Sequence, residues 1–299
     1  MKVGFIGLGA MGRLMSANLA KAGHAVRSFD INGTGNCGSA RAAAAGAEIL
    51  ITMVPDGKAV RKAVVAALPG LAPGSIVIDM SSSDPGTTRE LAALLKKKGV
   101  GMLDAPVSGA IIKAADGTLS LMVGGESALL ERARPVLSTM GTEIFHTGGL
   151  GSGHATKALN NYLGAAGTVA GMEVLLVGEK FGLDPKTLID VINASTGRNS
   201  TTERKIPQQV FTRKFASGFQ LALMAKDVGI AREVARSAGV AAPYLENTLK
   251  IWRAALSRLP AGADHTEIYH YLNGLRPAGK LKPRAGQRAA SPARRRARR

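Results

Sequence analysis

One cysteine, Cys37, and one tryptophan are all that 299 residues contain of those two types, and aromatic residues make up only 4% of the chain. A single thiol excludes an internal disulfide framework and fits a reducing, cytoplasmic compartment. With aromatics scarce, the hydrophobic 45% of the chain has to build its core from Ala, Val, Leu, Ile and Met. That composition suits a sheet flanked by Ala-rich helices. There is no C-x-x-C and no H-E-x-x-H, so no metal site is expected. No stretch reads as a membrane span, because the longest apolar run, residues 154–181, is broken by Lys157 and Glu173. The opening Lys2 and apolar run make a poor signal peptide, since glycines interrupt it and Arg13 follows. Acid is the scarce sign of charge: 21 Asp and Glu against 39 Lys and Arg, a net +18. Ten of those bases and no acid fall in residues 275–299, which leaves +8 on residues 1–274. The tail, rich in Pro, Ala, Gly and Arg with no apolar face, is expected to be disordered and to hold nucleic acid only non-specifically. The rest is moderately basic and suited to drawing anionic ligands.

What the chain does have begins at once. Residues 2–12 read KVGFIGLGAMG. An apolar run of strand composition is followed by Gly7, Gly9 and Gly12 in G-x-G-x-x-G spacing, and a helical pattern opens through Leu14, Met15 and Leu19. Strand, glycine turn and helix in this order form a dinucleotide-binding fingerprint. The turn of Gly7, Leu8, Gly9, Ala10, Met11 and Gly12 brings backbone N–H groups and a helix N-terminus to a diphosphate. A second strand, residues 24–29, ends at Asp30. A carboxylate about 20 residues past the glycines accepts hydrogen bonds from ribose hydroxyls and repels a 2′-phosphate. No Arg follows within several residues, so NAD is expected rather than NADP.

Strand and helix patterns then alternate: strands at 48–54, 75–80, 119–123 and 143–146, helices at 58–68, 85–98 and 127–140. From residue 152 the strand signals stop. Helices are expected at 154–181, with Ser152 as cap, and at 185–194, 219–238 and 242–256. The fold class is therefore α/β: an N-terminal doubly wound Rossmann domain, residues 1–151, followed by an all-α domain, residues 152–274. The long, Gly- and Ala-rich first helix of the second domain should be buried between domains or subunits, which points to a homodimer or homotetramer.

Ligands of open α/β sheets sit beyond the C-terminal strand ends, where the loops are 7–12, 54–56, 81–83 and 107–110. The PVSGA segment offers a hydroxyl, Ser108, and small residues that could hold a carboxylate; an ordinary turn is the competing reading. Lys157 and Asn161 are four apart on one helix face in an apolar setting, where desolvation can turn a lysine into a usable acid or base. The alternative is a solvated lysine. Lys226-Asp227 either reaches the cleft or is a surface pair.

GFIGLGAMG, the DMSS of residues 79–82, DAPVSG of 104–109, GSGHATKALNN of 151–161 and Lys226-Asp227 resemble, in order, the motifs of the β-hydroxyacid dehydrogenases, the family of 3-hydroxyisobutyrate dehydrogenase and tartronate semialdehyde reductase. The resemblance spans nearly all of residues 1–274. It implies NAD-dependent interconversion of a small 3-hydroxy acid and its semialdehyde, with Lys157 as general acid–base. It also implies Ser108, Gly109 and Asn161 as substrate-holding residues, Val54, Pro55 and Ser81 on the nicotinamide side, and Lys226 as a basic residue closing over the site. An NADPH-dependent semialdehyde or imine reductase is the neighbouring alternative, and a nucleic-acid-binding protein using the Arg-rich tail is the alternative of another class. A third is a crippled enzyme. Two departures from the family pattern stand out: residues 32–39 look like a shortened replacement for a helix and strand, and Ala110 stands where many relatives carry glycine.

Overall fold

The structure, a computed structural model, describes residues 1–275. The expectation of a disordered tail lies outside the described residues apart from Leu275.

Eight strands form one sheet: β1 (Lys2–Ile6), β2 (Ala25–Phe29), β3 (Ile49–Thr52), β4 (Ile76–Asp79), β5 (Gly101–Asp104), β6 (Val107–Ser108), β7 (Leu119–Gly124) and β8 (Gly141–Gly148). The order is β2-β1-β3-β4-β5-β7-β6, with β8 added on β7. The first five strands are parallel, and then the sheet reverses: β7 pairs antiparallel with β5 and β6, and parallel with β8. The inner parallel strands β1, β3 and β4 are short, nearly continuous apolar runs because both their faces are covered. Val3, Phe5, Ile49, Ile51, Ile76 and Ile78 face one layer with Met15 and Leu19 of α1 (Gly12–Lys21). Ile6, Leu50 and Val77 face the other, with Val60 and Val64 of α3 (Gly57–Ala67) and Leu91 and Leu95 of α4 (Pro85–Lys96). Asp56 and Asp84 cap α3 and α4 by accepting from Ala59 and Thr87 N–H, which fixes where those helices start beyond β3 and β4.

The shortened segment is visible in the sheet. Between β2 and α2 (Ala40–Ala44) the chain makes no further strand, so β2 is an edge. Asn36 seals that edge. Its Oδ1 accepts from Ser28 N–H at 2.7 Å, its Nδ2 donates to Val26 O at 3.1 Å, and Cys37 N–H donates to Ser28 O at 2.9 Å. A side chain thus satisfies main-chain groups that a neighbouring strand would otherwise take.

Two further helices complete this half, α5 (Ala110–Asp116) and α6 (Ser127–Leu137). The second half is helical: α7 (Ser152–Phe181), α8 (Pro185–Asn193), a π-helical segment (Thr201–Val210), α9 (Leu221–Ser237), α10 (Pro243–Leu256) and α11 (Ile268–Asn273). Its core joins Met172 and Leu175 of α7 to Val228 of α9 and the fully buried Trp252 of α10. Ser152 is not the cap of α7. Gly151 takes the capping position with φ +90°, which an L side chain rarely adopts, and Ser152 Oγ instead meets Thr147 Oγ1 at 2.7 Å.

Candidate active site

Gly7 follows β1, and Val54 and Ser81 lie two residues past the ends of β3 and β4, so all three lie beyond the C-terminal ends of parallel strands. β5 and β6 run on as one interrupted strand along β7, which carries Ser108 past the end of β5 toward the same edge. The chain enters α7 from β8, and Asp104 at the end of β5 takes the first turn of that helix: its oxygens accept from Gly151 N–H at 2.7 Å and His154 N–H at 2.8 Å.

The glycine turn has the shape that a diphosphate needs. A side chain at Gly12 would collide with the Gly7 carbonyl, so α1 can approach β1 only as glycine, whereas Gly9 has nothing within 4 Å and presents open backbone. Leu8 N–H donates to Asp30 Oδ2 at 2.6 Å, and Asn32 N–H donates to Oδ1 at 2.8 Å. Asp30 therefore ties the β1 turn to the β2 end, and its carboxylate is set where the two meet. Leu8, Ala10 and Met11 complete the turn, and α1 opens at Gly12. The residues fit a dinucleotide: the glycines leave room for the diphosphate, and an anchored acid terminates β2 for the ribose.

On the far side of the switch between β1 and β3, Val54 N–H donates to Ser81 Oγ at 2.9 Å. Ser81 is buried, and its N–H reaches Asp79 Oδ1 at 3.0 Å. Its hydroxyl thus braces the Val54–Pro55 loop from behind. Sequence reasoning gave no role to His154, which is fully buried among Ser81 O (3.1 Å from Nε2), Thr88 Oγ1 (2.8 Å from Nδ1) and the carboxylates of Asp79 and Asp104 (3.6 and 3.8 Å). Thr52 and Ser83 hydroxyls donate to Asp79, at 2.9 Å each. This network locks the start of α7 onto the ends of β4 and β5, one turn before Lys157.

Lys157 and Asn161 share a face of α7 near its start. Burial pushes the Lys157 ammonium below the usual lysine range; Asp227 opposes that shift and Lys226 adds to it. Asn161 Nδ2 donates to Asp227 Oδ2 at 2.6 Å, which joins α7 to α9. Lys226 Nζ donates to Pro55 O and to Ser82 O, 2.9 Å each, so α9 is clasped onto two loops of the sheet-bearing half. Ser108 and Gly109 form the turn into α5. Gly109 has φ +136° and Ala110 φ +58°. Ala110, at the departure from the family pattern, holds the left-handed backbone form that a glycine would hold without strain. A side chain at Gly218, in the loop that leads to α9, would come into van der Waals range of Ile111, so the two halves lie close together here. Among the described residues no group of three or more His, Cys, Asp or Glu could hold a metal ion, and no helix is long and apolar enough to cross a membrane.

A glycine turn, an acid anchored past the end of β2 and a desolvated lysine beside an amide are the features expected of a dinucleotide-dependent oxidoreductase. Known proteins narrow the class. The family model described as the NAD binding domain of 6-phosphogluconate dehydrogenase matches residues 2–148, and that described as NAD-binding of NADP-dependent 3-hydroxyisobutyrate dehydrogenase matches residues 151–272. The chain is 38% identical over 293 residues to a 3-hydroxyisobutyrate dehydrogenase of Pseudomonas aeruginosa, covering 91% of this chain and 98% of that one. It is 35% identical over 286 residues to an NAD-dependent L-serine dehydrogenase of the same organism, covering 89% and 96%. The solved 3-hydroxyisobutyrate dehydrogenase of Mycobacterium tuberculosis with L-serine superposes with a TM-score of 0.84 at 37% identity, covering 91% of this chain and 98% of that one. The chain belongs to the β-hydroxyacid dehydrogenase family, and it is an NAD(P)-dependent enzyme that interconverts a hydroxy acid and its semialdehyde.

Proposed function

We propose that the chain is an NAD-dependent dehydrogenase of a small 3-hydroxy acid, with Lys157 as its general acid–base. The observation that carries this reading is the desolvated Lys157 one turn before Asn161, in the first turns of the helix that the His154 network docks onto the sheet. A lysine whose proton affinity is lowered by burial gives up its proton more readily and can both take and return one. When bound, the nicotinamide accepts the hydride of the hydroxyl-bearing carbon or gives it back. Lys157 removes the hydroxyl proton in oxidation and supplies it in reduction. Ser108, the Gly109 amide and Asn161 hold the carboxylate and hydroxyl so that the reacting C–H bond is aimed, which is where orientation lowers the barrier. Gly7, Leu8, Gly9, Ala10, Met11 and Gly12 cradle the diphosphate, Asp30 takes the ribose hydroxyls, and Val54 and Pro55, braced by Ser81, flank the nicotinamide. Lys226 closes the cleft.

Asp30 supports NAD over NADP, because a buried carboxylate at the end of β2 repels a 2′-phosphate. Residues 1–151 act as the nucleotide domain and residues 152–274 as the helical substrate domain. The chain works as a homodimer or homotetramer: Leu163, Val174, Val177 and Phe181 form an exposed apolar stripe along α7, with Leu163 72% and Phe181 81% exposed. The single cysteine supports a cytoplasmic location.

The test is an initial-rate panel of 3-hydroxyisobutyrate, glycerate, serine and threonate with NAD and NADP, with Lys157→Ala alongside. The expected result is NAD-linked oxidation of at least one 3-hydroxy acid, reduced about 10²- to 10⁴-fold in Lys157→Ala while NADH still binds. Near-normal turnover of that variant overturns the assignment.

A further inference from the structure

Asp227 is almost wholly buried, and its two carboxylate oxygens are used unequally. Oδ2 accepts the Asn161 amide, whereas Oδ1, although buried, has no hydrogen-bond partner; the cation nearest it is Lys226 Nζ at 3.3 Å. A buried carboxylate oxygen that makes an ion pair but no hydrogen bond calls for an explanation, because desolvation has taken away the water partners it would otherwise have. The charges that act on Lys157 come from α9, which brings Asp227 and Lys226 against the start of α7. The other titratable groups nearby are otherwise engaged. His154, on the helix of Lys157, is bonded to Thr88 and Ser81; Asp79 and Asp104 hold Thr52, Ser83 and the amides at the start of α7. Burial first, and Tyr244 of α10 second, push the Tyr162 phenol of α7 above the ordinary tyrosine range.

We infer that Asp227 is the positioning residue and counter-charge of the acid–base pair: Oδ2 fixes the Asn161 amide, and Oδ1, which makes no hydrogen bond, faces the two lysines and steadies the ammonium that Lys157 carries once it holds the substrate proton. The inference rests on the dehydrogenase reading above. In oxidation the substrate O–H bond breaks and its proton goes to the Lys157 lone pair. The C–H bond of the same carbon breaks with its electron pair, which leaves as hydride to the oxidised nicotinamide, and a C=O bond forms. Lys157 is then a second ammonium beside Lys226. In a site shielded from water, two like charges at close range disfavour each other strongly unless an anion sits between them. Asp227 is that anion. In reduction the same carboxylate keeps Lys157 protonated until the alkoxide needs its proton. Lys226, the clasp, is the opposing charge, so cleft closure and the proton affinity of Lys157 are set by adjacent residues of one helix.

The experiment is the pH profile of kcat/KM for hydroxy-acid oxidation in wild type, Asp227→Asn and Lys226→Met. The oxidation rate rises with pH as Lys157 loses its proton. Removing the anion in Asp227→Asn makes that proton easier to lose and moves the midpoint about one pH unit toward acid; removing the cation in Lys226→Met moves it toward alkali. Shifts of opposite sign are the expected result, since general disorder at the site has no reason to produce them. Unmoved midpoints, or shifts of the same sign, overturn the inference even if both variants are slow. If Asp227→Asn no longer binds NADH, Lys226→Met and Asp227→Glu carry the test, the latter keeping the wild-type midpoint. A Lys157→Ala variant with near-normal turnover instead overturns the dehydrogenase reading, and this inference with it.

Discussion

The ammonium of Lys226 stands 2.9 Å from the carbonyl oxygen of Pro55, a contact spanning 171 residues of sequence and joining α9 to the loop after β3. With the matching bond to Ser82 O it supplies two charge-assisted hydrogen bonds across the cleft. Lys226→Met keeps the length of the side chain and loses both bonds. Weaker closure is expected, with the dissociation constant for NADH raised about tenfold, on the order of one such bond. Titration of NADH fluorescence checks it, and an unchanged affinity excludes the clasp.

His154 is hydrogen-bonded at both ring nitrogens and flanked by two buried carboxylates. His154→Leu leaves the Ser81 carbonyl, the Thr88 hydroxyl and one face of each aspartate short of partners. The variant should unfold more easily by about 3 kcal/mol, read from urea denaturation. Because Ser81 braces Val54, NADH affinity should fall with it.

Ala110 is a non-glycine residue at φ +58°. The left-handed form costs an L residue about 1–2 kcal/mol, while glycine enters with a more flexible unfolded chain. Ala110→Gly is therefore expected to stabilise the protein by less than about 1 kcal/mol, visible as a higher Tm. A fall in Tm would mean that the alanine methyl packs against something worth more than the strain.

His265 carries the clearest pH signature of the fold. Burial first and Lys205 second push its imidazole down to about 4, against the opposing effects of Asp264 and the Phe219 carbonyl. The unfolded chain binds this proton near pH 6.5, whereas the native protein resists it until about 4. Stability is thus fully present above pH 6.5 and is lost as the pH falls through that window, by on the order of 3 kcal/mol. His265→Gln should flatten the loss between pH 6.5 and 4 in urea titrations. The ring accepts or donates at Ser217 Oγ and lies 3.1 Å from Phe219 O, so acid should loosen the loop that leads into α9 before the sheet.

β1, β3 and β4 were legible because they are covered on both faces and read as nearly unbroken apolar runs, and the nucleotide turn because its glycines are steric necessities at fixed spacing. Lys157 and Asn161 were legible as a pair because helical spacing puts them on one face. Other features left no local trace. α5 starts inside a segment that reads as an anion-holding loop, and the π-helical segment is hidden by TTERK and by Pro207. The reversal of the sheet at β7 depends on strand pairing across the sheet rather than on the composition of β7. Asp227 is written beside Lys226, yet nothing in the sequence says that its carboxylate meets Asn161, 66 residues away. His154 sits in a family-like motif, but only the fold shows the two aspartates around it.

Asn36 gives the adenine side of the site a different kind of independence. Where a neighbouring strand would fasten that side to the sheet, one amide side chain closes the ladder of β2 and the loop beyond it is free of the sheet's register. Insertions or exchanges within residues 31–34 therefore do not propagate into strand pairing, whereas a side chain at Gly35 would collide with the backbone of β2 at Ser28 and Phe29. The loop after Asp30 is thereby a short, replaceable segment that can be rewritten while the rest of the sheet stays as it is.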